Sequence, residues 1–224
     1  MATLKIEDDI TDLIVALIEA SDVKISDSPD ELRQCCDGVC RTVVEHGLPG
    51  GDERRTAVRD LLRSGGFKPA GRNKPAQEYL LRTVTQEDSL PGISNAVDLI
   101  NMISLQAGLP ISLVSLDRVG TMLTLRFGRP DEAFVFNQAG QELALDGLIC
   151  LCANADGEPE PVGSPVKDSM KAKVDAMDHH LLACIYGSQK AISLGELRDS
   201  AEQLGEGFTR FCGASGYRLT LLPP

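Results

Sequence analysis

The stretch that decides the fold is residues 74–120, KPAQEYLLRTVTQEDSLPGISNAVDLINMISLQAGLPISLVSLDRVG. Apolar residues recur at helical spacing in a segment that begins near Pro75, and again between Asn95 and Gly108, where they cover a broad face. A Gly-Leu-Pro turn then leads into a run of β-forming residues at 111–116. We therefore predict two helices followed by a strand, with the second helix largely buried.

The sequence on either side adds further helices and short strands. A helix is expected after Ser28, with Glu31 completing a capping box, and a last helix begins with a similar box at Ser193 and Glu196. A further helix is predicted at 52–63, and strands are predicted at 3–6, 12–18, 121–127, 133–136, 148–152, 181–186 and 217–222. A long loop with short β segments is expected after residue 152. Helices gathered around several short strands indicate an α+β fold.

The length and composition indicate one globular domain. The chain has 224 residues, 42% of them hydrophobic and 25% charged. This suits a single domain over residues 1–224, in which residues 1–50 form an N-terminal elaboration. No apolar run approaches the roughly 20 residues of a membrane-spanning helix, and the acidic N-terminus lacks the apolar segment of a signal peptide. We expect a cytoplasmic protein with no membrane partner and with its seven cysteines as thiols; the oligomeric state stays open.

The charge of the chain opposes general nucleic-acid binding. The net charge is −11, from 22 basic and 33 acidic residues, so we expect no DNA partner. Residues 61–130 differ, because they hold 8 basic and 5 acidic side chains. This mildly basic segment is compatible with a local anion-binding site.

Two polar clusters are candidates for binding or catalysis. Lys68, Arg72 and Lys74 precede a predicted helix, a position that suits a phosphate group. Residues 164–173, SPVKDSMKAK, place three lysines, one aspartate and two serines in a loop, and lysines with backbone N–H groups bind carboxylates or phosphates. The alternative for each cluster is an ordinary solvated loop.

The sequence lacks the common cofactor-binding and metal-binding motifs, so we expect no cofactor and no metal. The sequence has no P-loop, G-x-G-x-x-G, H-E-x-x-H or G-x-S-x-G motif. Cys35, Cys36 and Cys40 fall on the apolar face of a predicted helix, where core packing is favoured over metal binding. The pair His179-His180 is interpreted as a solvated strand entry, with an acid–base or metal role as the alternative.

The quoted stretch resembles the B3/B4 domain of the phenylalanyl-tRNA synthetase beta chain, and still more the free-standing relatives of that domain. The resemblance covers roughly residues 60–190. It is carried by Leu90-Pro91, Asn95, Val97-Asp98, Asn101, Gly108-Leu109-Pro110 and Leu116-Asp117. It implies an α+β fold with a β-sandwich-like core of short mixed strands flanked by helices. In the synthetase this domain removes wrongly attached tyrosine from tRNA by ester hydrolysis, without a metal.

The site residues of that family are only partly present. Its editing asparagine corresponds to Asn95, whereas the position of its editing histidine holds Ser112. Its editing glutamate falls near Met170 or Lys171, and no glutamate stands there. The resemblance therefore implies an altered editing pocket, and lysines in place of an acid suggest a more anionic ligand.

Aminoacyl-tRNA is the substrate and partner that the resemblance implies, hydrolysed in trans. Ester hydrolysis needs an oriented water and donors for the charge that develops on the carbonyl oxygen. We expect Asn95 and Ser112 to orient water, Lys167 and Ser169 to stabilise the oxyanion, and Asp168 to act as base or to bind the substrate amino group. The expected substrate-binding residues are Lys171, Lys173, Asn154 and Ser115, and the expected RNA-binding residues are Lys68, Arg72 and Lys74. The alternatives are a non-catalytic binding module for an amino-acid-like or anionic small ligand, and a protein-interaction domain that uses its acidic surface.

Overall fold

The computed structural model describes residues 1–154 and 158–222. Its core is a sandwich of two four-stranded sheets, with helices on the outer face of one sheet. The strands are β1 Thr3–Ile6, β2 Leu13–Ser21, β3 Ile111–Ser115, β4 Met122–Phe127, β5 Ala133–Val135, β6 Glu142–Ala144, β7 Ile149–Ala153, β8 Glu160–Gly163, β9 Leu181–Ser188 and β10 Gly216–Leu222. The helices are α1 Asp30–His46, α2 Gly51–Arg63, α3 Ala76–Glu87, α4 Asn95–Ala107, α5 Leu116–Val119 and α6 Leu194–Cys212, with a 3₁₀ turn at Gly71–Asn73.

The two sheets are built from distant parts of the chain. The first has the order β1-β4-β7-β8 and the second β10-β2-β9-β3, while β5 and β6 form a separate hairpin. Among the named strands of the described residues, all pairings are antiparallel except that of β1 with β4. Strand β3 therefore lies at one edge of the second sheet, which matters for the site.

Side chains alternate between two cores. Between the sheets, Val15 and Leu17 of β2 pack against Leu125 of β4 and Leu151 of β7. The other face of β2 presents Ile14, Ala16 and Ile18 to the helices, as strand alternation requires. The α+β sandwich flanked by helices that the resemblance implies is thereby confirmed.

Local signals placed the central helices correctly. Helix α4 begins after Ser94, whose side chain accepts a hydrogen bond from the Val97 N–H, and ends at Gly108, which has a left-handed conformation with φ 64°. The Ser193–Glu196 capping box is also present. The capping box predicted at Ser28 is wrong, because the Ser28 hydroxyl instead donates to Asp98 Oδ2 at 2.5 Å and leaves α1 without a side-chain cap.

The predicted long loop after residue 152 contains a short β segment, as expected. It holds β8 and a segment at 164–174, and its residues 155–157 lie outside the described part. No helix in the described residues is long and apolar enough to cross a membrane.

Candidate functional site

A pocket of about 340 Å³ lies between α3, α4, β3, the β5–β6 hairpin and the segment 164–174. Its walls follow from secondary-structure periodicity: Ala76, Tyr79 and Leu80 from α3, Val97, Ile100, Asn101 and Ser104 from α4, and Ile111 and Leu113 from β3. A larger groove of about 670 Å³ lies between α1, α4 and α6, but it contains none of the predicted site residues. We therefore take the smaller pocket, named here the cationic pocket, as the candidate site.

The segment 164–173 forms one wall because it covers the open edge of β3. The Leu113 N–H donates to Asp168 Oδ2 at 3.0 Å, and the Ser115 N–H donates to the Ala172 carbonyl at 2.9 Å. Ser164 shapes the turn, since its hydroxyl oxygen accepts from the Lys167 N–H and its hydroxyl donates to the Lys167 carbonyl. Edge-strand donors that face no partner strand are thus satisfied by this loop.

Asp168 is the only carboxylate among the described residues that line the pocket. The residue is half-buried, yet its Oδ1 is fully buried and has no hydrogen-bond partner in the described structure. Burial raises the pKa of this carboxyl from 3.8 to about 6, against the lowering effect of the Leu113 N–H. Asp168 therefore changes protonation close to neutral pH.

Four cationic side chains line the pocket together with this carboxylate, which gives the pocket its name. They are Arg72, Lys74, Lys167 and Lys173. Lys167 Nζ stands 3.7 Å from the centroid of the Phe136 ring, and the Lys173 ammonium donates to the Phe136 carbonyl at 3.3 Å. Burial, with the charge of Arg72 nearby, lowers the pKa of Lys167.

None of the four cations forms an ion pair with a carboxylate in residues 1–154 and 158–222. By contrast, Arg59 forms a bidentate pair with Glu78 on α3, at 2.6 and 2.5 Å. Because Glu78 is held by Arg59, the first turn of α3 brings no negative charge to the pocket. The arrangement suits an anionic ligand.

Asn95 lies outside the cationic pocket. Its side chain is 1% exposed, and its amide donates to the carbonyls of Lys24 and Phe211 while its Oδ1 accepts from the Ser26 N–H. These bonds join the start of α4 to the end of α6 and to the segment before α1. The side chain that matches the family's asparagine thus has a structural environment in this chain, where its polar atoms contact backbone.

Ser112 and Ser169 lie behind the pocket wall. The Ser112 hydroxyl donates to the Ser164 carbonyl at 2.9 Å and lies 3.0 Å from the Tyr186 hydroxyl, between the sheets. Ser169 is 2% exposed, and its hydroxyl accepts from the Lys171 N–H at 3.3 Å. Both serines fix the loop that carries Asp168, and neither lines the pocket.

The remaining predicted site residues are dispersed. Lys171 pairs with Glu160 on the surface, and the Ser115 hydroxyl donates to Asp178 at 2.7 Å. The Asn154 amide donates to Thr124 Oγ1 at 2.9 Å on the first sheet. Lys68 is exposed and is not among the lining residues, whereas Arg72 and Lys74 are.

Several lining residues were not predicted as site residues. Tyr79 and Leu80 carry an ordinary amphipathic helix pattern, and Phe136 ends a short predicted strand. Asn101 contributed to the resemblance, and it lies on the same face of α4 as Val97 and Ser104. A polar residue on the apolar face of a buried helix was the one signal that pointed to it.

The cysteine and histidine interpretations have mixed outcomes. Cys36 and Cys40 are buried as expected, but Cys35 is exposed, because it lines the open groove between α1, α4 and α6. His180 Nδ1 lies 3.0 Å from Asp117 Oδ1 at the start of β9. No group of three His, Cys, Asp or Glu side chains that could hold a metal ion occurs within the described residues.

Comparison with known proteins gives the context for this pocket. The chain is similar to an N-terminal fragment of the phenylalanyl-tRNA synthetase beta-subunit from Pyrococcus horikoshii, with a TM-score of 0.52 and 9% identity. The comparison covers 100% of this chain and 55% of that one, so this chain spans about half the length of that fragment. At 9% identity this structural similarity shows a shared fold and nothing more. No curated protein sequence matches.

The family assignment rests on a match to most of the chain. The family model of the B3/4 domain matches residues 67–198. This range begins at the end of the α2 region and includes α3, α4, β3 and the segment 164–173, so it contains every wall of the cationic pocket. The chain belongs to the B3/4 domain family.

Proposed function

We propose that this protein hydrolyses the ester bond of mischarged aminoacyl-tRNA in trans, with the aminoacyl group in the cationic pocket. The observation that carries the proposal is Asp168, a carboxylate with a pKa of about 6 in the wall of a pocket that also holds Lys167. A general base is most effective when its pKa lies near the working pH. Asp168 meets that condition, since burial has raised its pKa.

The reaction needs one base and one positive group. Asp168 accepts a proton from a water molecule, whose oxygen attacks the ester carbonyl carbon. The negative charge that develops on the carbonyl oxygen is stabilised by the Lys167 ammonium. The bond from the carbonyl carbon to the ribose oxygen then breaks, Asp168 returns the proton to the ribose oxygen, and the free amino acid and tRNA leave.

The shape and charge of the pocket are consistent with such a substrate. The apolar floor of Val97, Ile100, Ile111 and Leu113 supports an amino-acid side chain. The cations Arg72 and Lys74 also line the pocket, and they attract the phosphates of an RNA. A ligand with an apolar part and a phosphate part uses both features.

A non-catalytic binding module for an amino-acid-like or anionic ligand is the second candidate. One observation favours it: the Oδ2 atom of Asp168 already accepts a hydrogen bond from the Leu113 N–H. Because Asp168 is the only carboxylate that lines the described pocket, no second carboxylate there can act as the base in its place. The positions of the family's editing histidine and glutamate also hold other residues. Under this reading the four cations bind the ligand and no bond is broken.

Deacylation separates the two functions. The purified protein is incubated with a panel of mischarged aminoacyl-tRNAs, and release of the amino acid is followed for wild type, Asp168→Asn and Asp9→Asn. Asp9 is an exposed carboxylate outside the pocket and serves as the matched control. We expect turnover of at least one species by wild type and Asp9→Asn, and a loss of about 100-fold or more in Asp168→Asn. Absence of turnover across the panel, with ligand binding retained, supports the binding module instead.

A further inference from the structure

Two large apolar side chains stand exposed at the mouth of the cationic pocket. Tyr79 on α3 is 58% exposed and Ile93, just before α4, is 61% exposed. Both side chains line the same pocket, and exposed apolar groups that cluster at a pocket are typical of ligand-binding sites. The Tyr79 ring centroid lies 6.0 Å from Lys167 Nζ, so the ring borders the positive centre of the pocket.

The positive charge at this mouth lacks partners in the described structure. Arg72 and Lys167 are close enough to repel each other, and neither has a carboxylate partner in the described ranges. The chain as a whole is acidic, with 33 acidic and 22 basic residues, so this cluster differs in charge from the rest of the molecule. An anionic group placed between Arg72 and Lys167 relieves their repulsion and gains charge-assisted hydrogen bonds.

Of the two aromatic rings that line the described pocket, Tyr79 is the more exposed and lies farther from Lys167 Nζ. Lys167 Nζ covers one face of Phe136 at 3.7 Å from the centroid. Phe136 is half-buried, whereas Tyr79 is exposed. A flat ligand group that approaches the cations therefore stacks on Tyr79, beside the anion that Arg72 and Lys167 bind.

We infer that the mouth of the cationic pocket binds one unpaired nucleotide, with its base stacked on Tyr79 and its phosphate between Arg72 and Lys167. This inference rests on the proposed function and names the part of the RNA that is recognised. A ring flanked by cations is the usual arrangement for binding single-stranded nucleic acid, because an unpaired base exposes its face and a duplex base does not. The ligand is thus a single-stranded end, from which the aminoacyl group continues to the apolar floor.

Binding of short RNAs to the purified full chain tests the inference. The probes are a fluorescent four-nucleotide single strand ending in CCA and a blunt duplex of the same label, each titrated by anisotropy at several salt concentrations. We expect the single strand to bind at least roughly tenfold more tightly than the duplex. Tyr79→Ala loses roughly tenfold or more in affinity, as stacking on an aromatic side chain predicts, while Tyr79→Phe keeps the affinity of wild type.

A matched pair of arginine variants tests the phosphate contact. Arg72→Ala lowers affinity and reduces the salt slope by about one. Arg82→Ala also removes one positive charge from the same region, but Arg82 lies on α3 outside the pocket and should leave binding near that of wild type. Equal effects of the two variants overturn the assignment of the phosphate to Arg72.

Other results distinguish this inference from the proposed function. Wild-type affinity in Tyr79→Ala, or equal binding of the duplex, overturns it. Inorganic phosphate that displaces the RNA at equal concentration also overturns it, since the site is then one for free phosphate. Binding through Tyr79 without any deacylation refutes the hydrolase and keeps the nucleotide site, whereas deacylation that is insensitive to Tyr79→Ala keeps the hydrolase and refutes the nucleotide site.

Discussion

Replacing Asp168 by asparagine should make the protein more stable while it removes the proposed base. Burial raises the pKa of this carboxyl from 3.8 to about 6, which corresponds to about 3 kcal/mol of destabilisation when the group is charged. An amide avoids this cost and keeps the shape of the side chain. The hydrogen bond from the Leu113 N–H is weaker to an amide oxygen than to a carboxylate, by about 1 kcal/mol. The net expectation is a gain of about 2 kcal/mol in the free energy of unfolding near pH 8.

The gain should depend on pH in a defined direction. A carboxyl whose pKa is higher in the folded state binds more protons when folded than when unfolded, between 3.8 and about 6. The free energy of unfolding therefore falls as pH rises through this window, and the cost is complete above about pH 6. The advantage of Asp168→Asn is then largest in alkaline solution and absent below about pH 4.

Urea unfolding of wild type, Asp168→Asn and Asp9→Asn at a series of pH values measures this difference. Asp9 is exposed and makes no side-chain hydrogen bond or ion pair in the described structure, so its variant should follow wild type within about 0.5 kcal/mol. If Asp168→Asn is no more stable than wild type near pH 8, the buried-carboxylate argument is wrong. A stability difference that does not change with pH contradicts it as well.

Three further substitutions probe the neighbourhood of the site. Asn95→Ala should lower the free energy of unfolding by about 2–4 kcal/mol in urea titrations, since it leaves several backbone groups without partners. The folded fraction of this variant should keep the wild-type rate of deacylation in single-turnover measurements. Gly163→Ala brings a Cβ to 2.8 Å from Asp168 Oδ1, so the deacylation rate should fall by about tenfold or more. Gly38→Ala is the control: its Cβ meets nothing within 4 Å, so the variant should gain up to about 1 kcal/mol in the free energy of unfolding with unchanged activity. Lys167→Met keeps the apolar stem but removes the charge, and the deacylation rate constant should fall by about 100-fold without a change in thermal midpoint; a normal rate rejects Lys167 as the group that stabilises the oxyanion.

Elements that depend on local chemistry were predictable from the sequence. Helix α4 follows from its apolar periodicity, Ser94 and Gly108, and α6 follows from the Ser193–Glu196 capping box. The capping box at Ser28 failed for a physical reason, because Asp98, distant in sequence, accepts the hydrogen bond of the Ser28 hydroxyl. A pattern of neighbouring residues carries no information about such a competitor.

The site was predictable only in fragments. The clusters at Arg72–Lys74 and at 164–173 were each recognised as possible anion sites, but nothing in their spacing indicated that they share one pocket. Tyr79 was assigned to the apolar face of a helix, since an exposed and a buried aromatic look alike in a periodic pattern. Asn95 shows the converse case, in which a position matched to the family's site has its polar atoms bound to backbone.

The loop that carries Asp168 has a consequence for the solubility of the protein. The loop occupies the outward N–H groups of Leu113 and Ser115, which belong to the buried five-residue strand ISLVS. A substitution that releases the loop exposes an apolar strand edge to other molecules, and such edges nucleate intermolecular pairing. Random mutagenesis of this segment should therefore yield aggregated protein more often than soluble inactive protein. A screen for loss of activity would then recover aggregating variants, and their loss of activity would not identify catalytic residues.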